Sequence, residues 1–496
     1  MVGSSPVSGQ DTSNPGRVVA AWSQFVSDNP PAVTAPVQPA EARPAPETRP
    51  PAIELRYVID TVSHWQGQSA CDAFNVAYKD ASGALGTAAG GVERNNPRPS
   101  IFPTTVCSVA LDASWEDLWL IDAGQPPNST AATIWENGTD SGVRVALPGP
   151  HKLGRRHTSA HGQPELLIAT LGDSGCRGAQ KGQDCSSDWP FQQITQSAAS
   201  SSPDLFIHVG DYRYYEQWDD ANRWNYWLKD FLIPAREALL AAPWALARGN
   251  HEECGDSASG EGFTYLFGVG GADCSITIEP SWSFDVAPGG FDSAGKATAT
   301  HRFVMIDTST EWNPALKQAF IDAIDLSASE SVWWVSHIAP VHLVKFGGSP
   351  QSNPGVLSLL DKAVAEKGPL CATDTGGTTT CKPSQMLLGH DHMFQTVTFA
   401  KADGSFFWPR AYIVGHGGVD LRGAGLKASS CTFDSFDLPG LSGKQTGTVQ
   451  SRSEHGYVLW TRSVDTIGEP AGWVANPRDK DGNPLSAFGQ PTPSCL

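Results

Sequence analysis

The 496-residue chain lacks any run near the roughly 18 consecutive apolar residues that a membrane-spanning helix needs. It is also short of positive charge: 34 Lys and Arg stand against 52 Asp and Glu, a net charge of −18. An acidic surface repels phosphate backbones at long range, which argues against general nucleic-acid binding. A small anionic substrate is still allowed, because a bound metal's local charge outweighs a distant field. Charged residues make up only 17% of the chain while Trp occurs 17 times, a globular composition and not that of a disordered chain or coiled coil. No internal repeat is visible. The N-terminus, MVGSSPVSGQ, lacks a basic segment followed by an apolar one, so no cleavable signal is legible. The expectation is a mature form carrying a new Met.

The chain has ten cysteines but no CxxC pair, so neither a zinc ribbon nor a redox motif is present. Cys176 and Cys185, Cys254 and Cys274, and Cys371 and Cys381 lie close together in loop-like sequence. They predict loop-stapling disulfides in an oxidising compartment, hence a secreted or periplasmic protein.

Composition divides the chain into four parts. Residues 1–51, rich in Pro, Ala, Ser and Glu, predict a disordered linker, with at most a helical turn over 18–26. Residues 52–163 carry short β-prone runs separated by turns and predict a small β-sandwich-like accessory domain. Over 164–465, near-continuous apolar runs such as LLIATLGDSG, DLFIHVGDYRYY, VWWVSHIAP and QMLLGHDH alternate with helical stretches over 219–241 and 313–326. That alternation predicts a layered α/β domain with covered sheet faces. Residues 466–496, rich in Pro and Gly, predict a tail packed on the surface, with Cys495 available to tie it down.

Polar residues collect where those apolar runs end, which is where open α/β sheets place their sites. In chain order they are Asp173, Asp211, Tyr214, Asn250, His251, His337, His390 and His392. Carboxylate, phenolate, amide oxygen and imidazole suit hard-to-borderline cations such as Fe, Mn and Zn. Apart from His251, these are seven candidate ligands, too many for one tetrahedral zinc. They suit two metals sharing a carboxylate. Gly172, Gly210, Gly249 and Gly389 precede ligands, where the chain must turn sharply.

The blocks GDSG, GDYRY, GNHE, His337 after a strand and GHDH, in this order over 173–392, resemble the calcineurin-like metallophosphoesterases, and among them the purple acid phosphatases. Most calcineurin-like enzymes begin with DxH; here Gly175 replaces that His, and Tyr214 stands where purple acid phosphatases place a tyrosinate. The resemblance implies an α/β (α+β) fold, a four-layer α/β/β/α domain. It implies Fe(III) held by Asp173, Tyr214 and His392, a divalent Zn, Mn or Fe held by Asn250, His337 and His390, and Asp211 bridging both. His251 would point at the substrate and protonate the leaving group or stabilise the developing charge, while a metal-bound hydroxide attacks phosphorus in line. The family's pair of downstream substrate-facing histidines is reduced here to His342. His416, in a Gly-rich turn, and Arg177 are the further candidates for touching substrate.

The expected function is hydrolysis of small phosphate esters, foremost acid phosphatase action on monoesters, with no nucleic-acid or membrane partner. Phosphodiester or phosphotriester hydrolysis on the same scaffold is the alternative. A catalytically silent binding protein is the reading from another class. The bland alternatives are turn-capping polar residues at the strand ends, a packing role for Tyr214 and an exposed ion pair for Arg177.

Overall fold

The computed structural model describes residues 17–26, 51–60, 69–129, 135–136, 139–140, 147–178, 182–214, 223–254, 258–269, 274, 279, 281–293, 295–297, 299–309, 330–343, 350–368, 370–373, 379–400, 407–422, 428–438, 442, 444–463 and 472–486.

Two large sheets face each other. The first has ten strands, in the order Trp473–Asp479, Gly456–Ser463, Pro164–Leu171, Leu205–His208, Trp244–Leu246, Val18–Phe25, Ile53–Ile59, Thr105–Ala110 and Val92–Glu93, with His157–Thr158 paired to Pro164–Leu171. The second has eight strands: Trp282–Val286, His301–Met305, Ser331–Val335, Gln385–Leu388, Arg410–Val414, Phe394–Thr398, Lys444–Arg452 and Ala428–Asp437. Each sheet has a parallel centre, formed by Pro164–Leu171, Leu205–His208 and Trp244–Leu246 in one and by His301–Met305, Ser331–Val335, Gln385–Leu388 and Arg410–Val414 in the other.

Side-chain alternation along these strands separates three cores. Leu166 and Ile168 point between the sheets, where they join Trp333, Val335, Leu387 and Tyr412. Ala169 and Leu171 point outward to the helices, with Phe191 of helix Phe191–Ser200 and Phe231. Beyond the second sheet, Val332, Trp334 and Met386 meet Val356, Leu359 and Leu360 of helix Pro354–Lys367. That helix has local start and stop signals: Asn353 accepts from Val356 N–H, Pro354 opens it, and Gly368 closes it at φ 92°. Buried helix, sheet, sheet and helix give the four-layer α/β/β/α domain expected from the sequence.

The four-part division of the chain is different in the structure. Val18–Phe25 lies inside the supposed linker and is neither disordered nor helical. It is a buried strand of the first sheet, parallel to Trp244–Leu246 and antiparallel to Ile53–Ile59. Its strand state comes from its neighbours, since Trp22 is fully buried and Gln24 Nε2 donates to Phe267 O at 3.0 Å. Nor do residues 52–163 form a separate domain. Ile53–Ile59 and Thr105–Ala110 extend the same large sheet. Only Leu147–Pro148, Trp115–Asp122, Phe74–Asp80 and Leu85–Ala89 make their own four-stranded sheet, whose core runs on through Val18, Ala21, Leu55 and Tyr57. The expected C-terminal tail contains strand Trp473–Asp479, which pairs with Gly456–Ser463 at the sheet edge.

The helix expected over 219–241 is interrupted. Its described part is helix Arg223–Trp227, a wider turn over Leu228–Leu232 and helix Arg236–Ala241. Ile233 N–H bonds back five residues to Leu228 O, and Pro234 brings no N–H to continue the ladder. The stretch expected to be helical over 313–326 lies outside the described residues.

Disulfides join Cys71 to Cys107, Cys176 to Cys185, Cys254 to Cys274 and Cys371 to Cys381. The last three join cysteines that lie close together in the sequence, a connectivity that spacing alone left open. Cys431 is also disulfide-bonded, while Cys495 lies outside the described residues. Among the described residues, no helix is long and apolar enough to cross a membrane.

Candidate metal centre

The candidate ligands follow the C-terminal ends of the parallel strands of both sheets. Asp173 follows Pro164–Leu171, Asp211 follows Leu205–His208, and Asn250 follows Trp244–Leu246. From the other sheet, His337 follows Ser331–Val335, and His390 and His392 follow Gln385–Leu388. Asp173, Asp211 and His390 have φ of 53°, 58° and 73°. Left-handed backbone is uncommon for residues with a Cβ, and here it turns three donor groups into one space. The glycines allow the close approach. A Cβ on Gly249 would lie 2.1 Å from Asp211 Oδ1, and one on Gly389 would lie 2.7 Å from Asp173 Oδ2.

One group of lone pairs centres on His337. Its Nδ1 donates to Val209 O at 2.7 Å, so the neutral ring carries its lone pair on Nε2. Nε2 faces Asp211 Oδ2 at 3.2 Å and Asn250 Oδ1 at 3.0 Å. Asn250 Oδ1 also lies 2.8 Å from His390 Nδ1. Donor atoms of Asp211, His337 and His390 all fall within 4.8 Å of one another. Several acceptors facing one another in a buried space repel unless a cation stands among them. Without a metal, a proton takes that part. Burial opposes charge on His337, but Asp211, with its hydrogen bond, and Asp173 outweigh it and raise the imidazole well above its ordinary range. Asp211 is held well below the carboxylate range, with His337 and His251 pulling against the desolvation of its buried site.

The second group is Asp173, Tyr214 and His392. Tyr214 Oη donates to Asp173 Oδ1 at 2.8 Å, and His392 Nε2 stands 3.9 Å from the same oxygen. His392 Nδ1 donates to Asp420 O at 3.1 Å, which again leaves Nε2 as a lone pair facing the carboxylate. Asp173 Oδ2 accepts the backbone N–H of His390 at 2.9 Å, joining the two groups. Burial, and next the Asp173 carboxylate, drive the Tyr214 hydroxyl well above its ordinary pKa. Burial, and next the Arg422 charge, lower His392 to about 3. The donor chemistry fits two cations: Asp211, Asn250, His337 and His390 would hold one, and Asp173, Tyr214 and His392 the other.

All seven expected ligands are brought together. Tyr212 is excluded as the phenolate: it is fully buried, stacks on His208 and donates to Ala247 O at 2.9 Å. Tyr215 lies outside the described residues. His251 is at the mouth, with 22% of its side chain exposed. Its ring lies 4.5 Å from that of Tyr214, and its Nε2 is 4.0 Å from Asp211 Oδ2. Arg177 is at the rim, 6.0 Å above the Tyr214 ring and 3.4 Å from Asp420 Oδ1. His342 is near the site, its ring 6.4 Å from that of His390.

His416 is a correction. It is fully buried beside Phe394, with ring centroids 5.4 Å apart, and faces no substrate space. A Gly-rich turn tells where the backbone bends but not which way the neighbouring ring points.

Three supporting residues have no signal in the sequence as site residues. Glu252 is fully buried, and its carboxylate accepts four backbone N–H groups, from Asp211, Tyr212, Arg213 and Gly249, at 3.0–3.2 Å. It clasps the loop that carries Asp211 and Tyr214. Asp391 is fully buried, bonded to His342 Nδ1 and, at 2.8 Å, to Arg422 Nη1. Arg422 donates its backbone N–H to His392 O at 3.0 Å. The position of Glu252 next to His251 and of Asp391 inside GHDH is the one hint available. His208 supports the site from behind: it bonds Ser174 Oγ through Nε2 at 2.9 Å and accepts Gly210 N–H at Nδ1.

Residues 166–393 match the family model of the calcineurin-like phosphoesterases. No curated protein matches the chain. Among solved structures, the chain is similar to purple acid phosphatase PPD1 from yellow lupin (Lupinus luteus) seeds. Identity is 13% and the TM-score 0.54, over 96% of this chain and 74% of that one. It is also similar to PhoD, at 12% identity and a TM-score of 0.42, over 96% and 94% of the two chains. At 13% identity the lupin structure speaks for the fold alone. The family match covers the segment that supplies every candidate ligand. Over residues 166–393, fewer than half of its length, this chain is similar to the calcineurin-like phosphoesterases.

Proposed function

We propose that the protein is a metal-dependent phosphoester hydrolase with a purple-type centre, acting foremost as an acid phosphatase on small monoesters. The observation that carries the reading is the set of acceptors, Asp211 Oδ2 and Asn250 Oδ1, facing the His337 Nε2 lone pair while its Nδ1–H is tied to Val209 O. Asn250, His337 and His390 would hold a divalent Zn, Mn or Fe. Asp173, Tyr214 and His392 would hold Fe(III), with Asp211 shared. When bound, such a pair neutralises phosphoryl charge and lowers the pKa of water.

The protein's own groups do the rest. His251 Nε2, at the exposed mouth, delivers a proton to the leaving-group oxygen, a contribution of about 10²–10⁴ in rate. Arg177 meets a phosphoryl oxygen from the Tyr214 side. Glu252 keeps Asp211 and Tyr214 in place through the loop it clasps. The paired cysteines support a secreted or periplasmic location.

The test is metal analysis and a visible spectrum on protein purified without chelators, followed by hydrolysis of p-nitrophenyl phosphate and bis(p-nitrophenyl) phosphate at pH 5 and pH 8. Two metals per chain, a mid-visible band and monoester hydrolysis in acid are expected. Hydrolysis of the diester alone would move the assignment to a phosphodiesterase. A chain that binds no metal would defeat the reading.

A further inference from the structure

We propose that Asp391 is a positioning residue that sets His342 and Arg422, one through each carboxylate oxygen, to receive the phosphoryl oxygens of the substrate. The proposal rests on the phosphoester-hydrolase reading for what the site binds.

Asp391 stands between two candidate ligands, His390 and His392, yet belongs to neither ligand group. It is fully buried. A buried carboxylate needs a hydrogen-bonding partner for each oxygen, and here both oxygens have one. Oδ2 is bonded to His342 Nδ1 and Oδ1 to Arg422 Nη1, the latter at 2.8 Å. The partners reach the site from separate parts of the chain. His342 belongs to the short strand Val341–His342, which pairs with Gln351–Ser352, and its ring lies 6.4 Å from that of His390. Arg422 comes from the loop beyond Arg410–Val414. Its backbone is fixed at both ends, by N–H to His392 O at 3.0 Å and by its carbonyl accepting from Ser453 Oγ at 2.8 Å.

The bonds fix more than distance. A carboxylate can only accept, so the bond at Nδ1 makes that nitrogen a proton carrier and leaves Nε2 to face an incoming oxygen, accepting from a protonated phosphoryl oxygen or, when the ring carries both protons, donating to an anionic one. An imidazole without such a partner turns about its bonds and exchanges tautomers. Arg422 keeps 31% of its side chain exposed while the carboxylate that holds it has none. One buried anion thus orients two partly accessible nitrogen groups on either side of the His390–His392 pair. Partners that orient site groups in this way commonly contribute about 10–100-fold.

Asp391→Asn tests the proposal, because an amide has only one acceptor oxygen for two donors. The variant is expected to keep two metals per chain, to lose roughly 10–100-fold in kcat/KM on p-nitrophenyl phosphate, and to bind inorganic phosphate more weakly by calorimetry. In a His342→Ala, Arg422→Ala background the same change is expected to cost little, because its effect passes through those groups. The native chain gives a second readout: the ¹⁵N spectrum of His342 is expected to show a proton fixed on Nδ1. That measurement decides the matter if Asp391→Asn does not fold.

The proposal falls if Asp391→Asn retains wild-type kcat/KM and phosphate affinity. It falls equally if its defect follows lost metal, if the full loss persists in the double-alanine background, or if His342 carries no proton on Nδ1. If the loaded wild type hydrolyses no phosphate ester but Asp391→Asn still weakens phosphate binding, the positioning role stands and the hydrolase reading falls.

Discussion

His337 Nε2 lies 3.2 Å from Asp211 Oδ2 while the opposite nitrogen of the ring donates to Val209 O at 2.7 Å. The ring is therefore fixed from behind and meets an anion in front, in a space from which water is nearly excluded. In the metal-free protein burial opposes charge on His337, but Asp211 outweighs it and raises the imidazole well above its ordinary pKa near 6.5. The sign follows from linkage. The pair stabilises the metal-free fold fully below pH 6.5, and the contribution is lost as pH rises through the folded pKa. A divalent cation must displace that proton. Titrating Zn²⁺ into metal-free protein at pH 7.5 should release about one proton per site, read with an indicator dye, and His337→Ala should abolish the release.

Tyr214→Phe removes the one described phenol bonded to Asp173. A mid-visible absorption band should disappear while metal content stays at two per chain. Persistence of the band in the variant would exclude Tyr214 as the iron ligand.

Glu252 accepts four backbone N–H groups beneath the loop bearing Asp211. Glu252→Ala leaves those donors buried without their acceptor and should cost about 3–5 kcal/mol, measured by denaturant unfolding of metal-free protein. Glu252→Gln, which keeps an acceptor oxygen, should cost less.

Gly249→Ala places a methyl group 2.1 Å from Asp211 Oδ1. Metal content and activity should both drop sharply while the circular dichroism of the two sheets is retained. Normal metal content would mean that the Asp211 loop yields.

His416 is expected to leave KM unchanged when replaced by Gln, since it touches no substrate space. Its signature lies in stability instead. Burial, and next the charge of His455, lower it from 6.5 to about 3. Between those values the unfolded chain binds a proton that the folded chain refuses, so stability falls as pH drops from 6.5 toward 3. The melting temperature of wild type relative to His416→Gln should therefore decline from pH 7 to pH 4.

Read alone, the sequence determined the candidate ligand set. Each candidate follows an apolar strand and most follow a glycine. Strand end, turn and donor are all local, and Asp173, Asp211, Asn250, His337, His390 and His392 were legible for that reason. The covered strands were legible on the same grounds, from apolar runs within a window of a few residues, whereas of the two helical stretches expected 219–241 is interrupted and 313–326 lies outside the described residues. Tertiary structure alone decided three matters. Val18–Phe25 is a strand because its neighbours in the sheet bury it, a contact more than 200 residues away in the chain. His416 turned away from substrate because side-chain direction at a turn depends on what packs against it. Asp391, Glu252 and Arg422 joined the site because a buried carboxylate must find donors, and the fold supplied them from distant loops. Local patterning encodes where a functional group stands along a strand. What holds that group in place is set by long-range packing, which no short window of sequence contains.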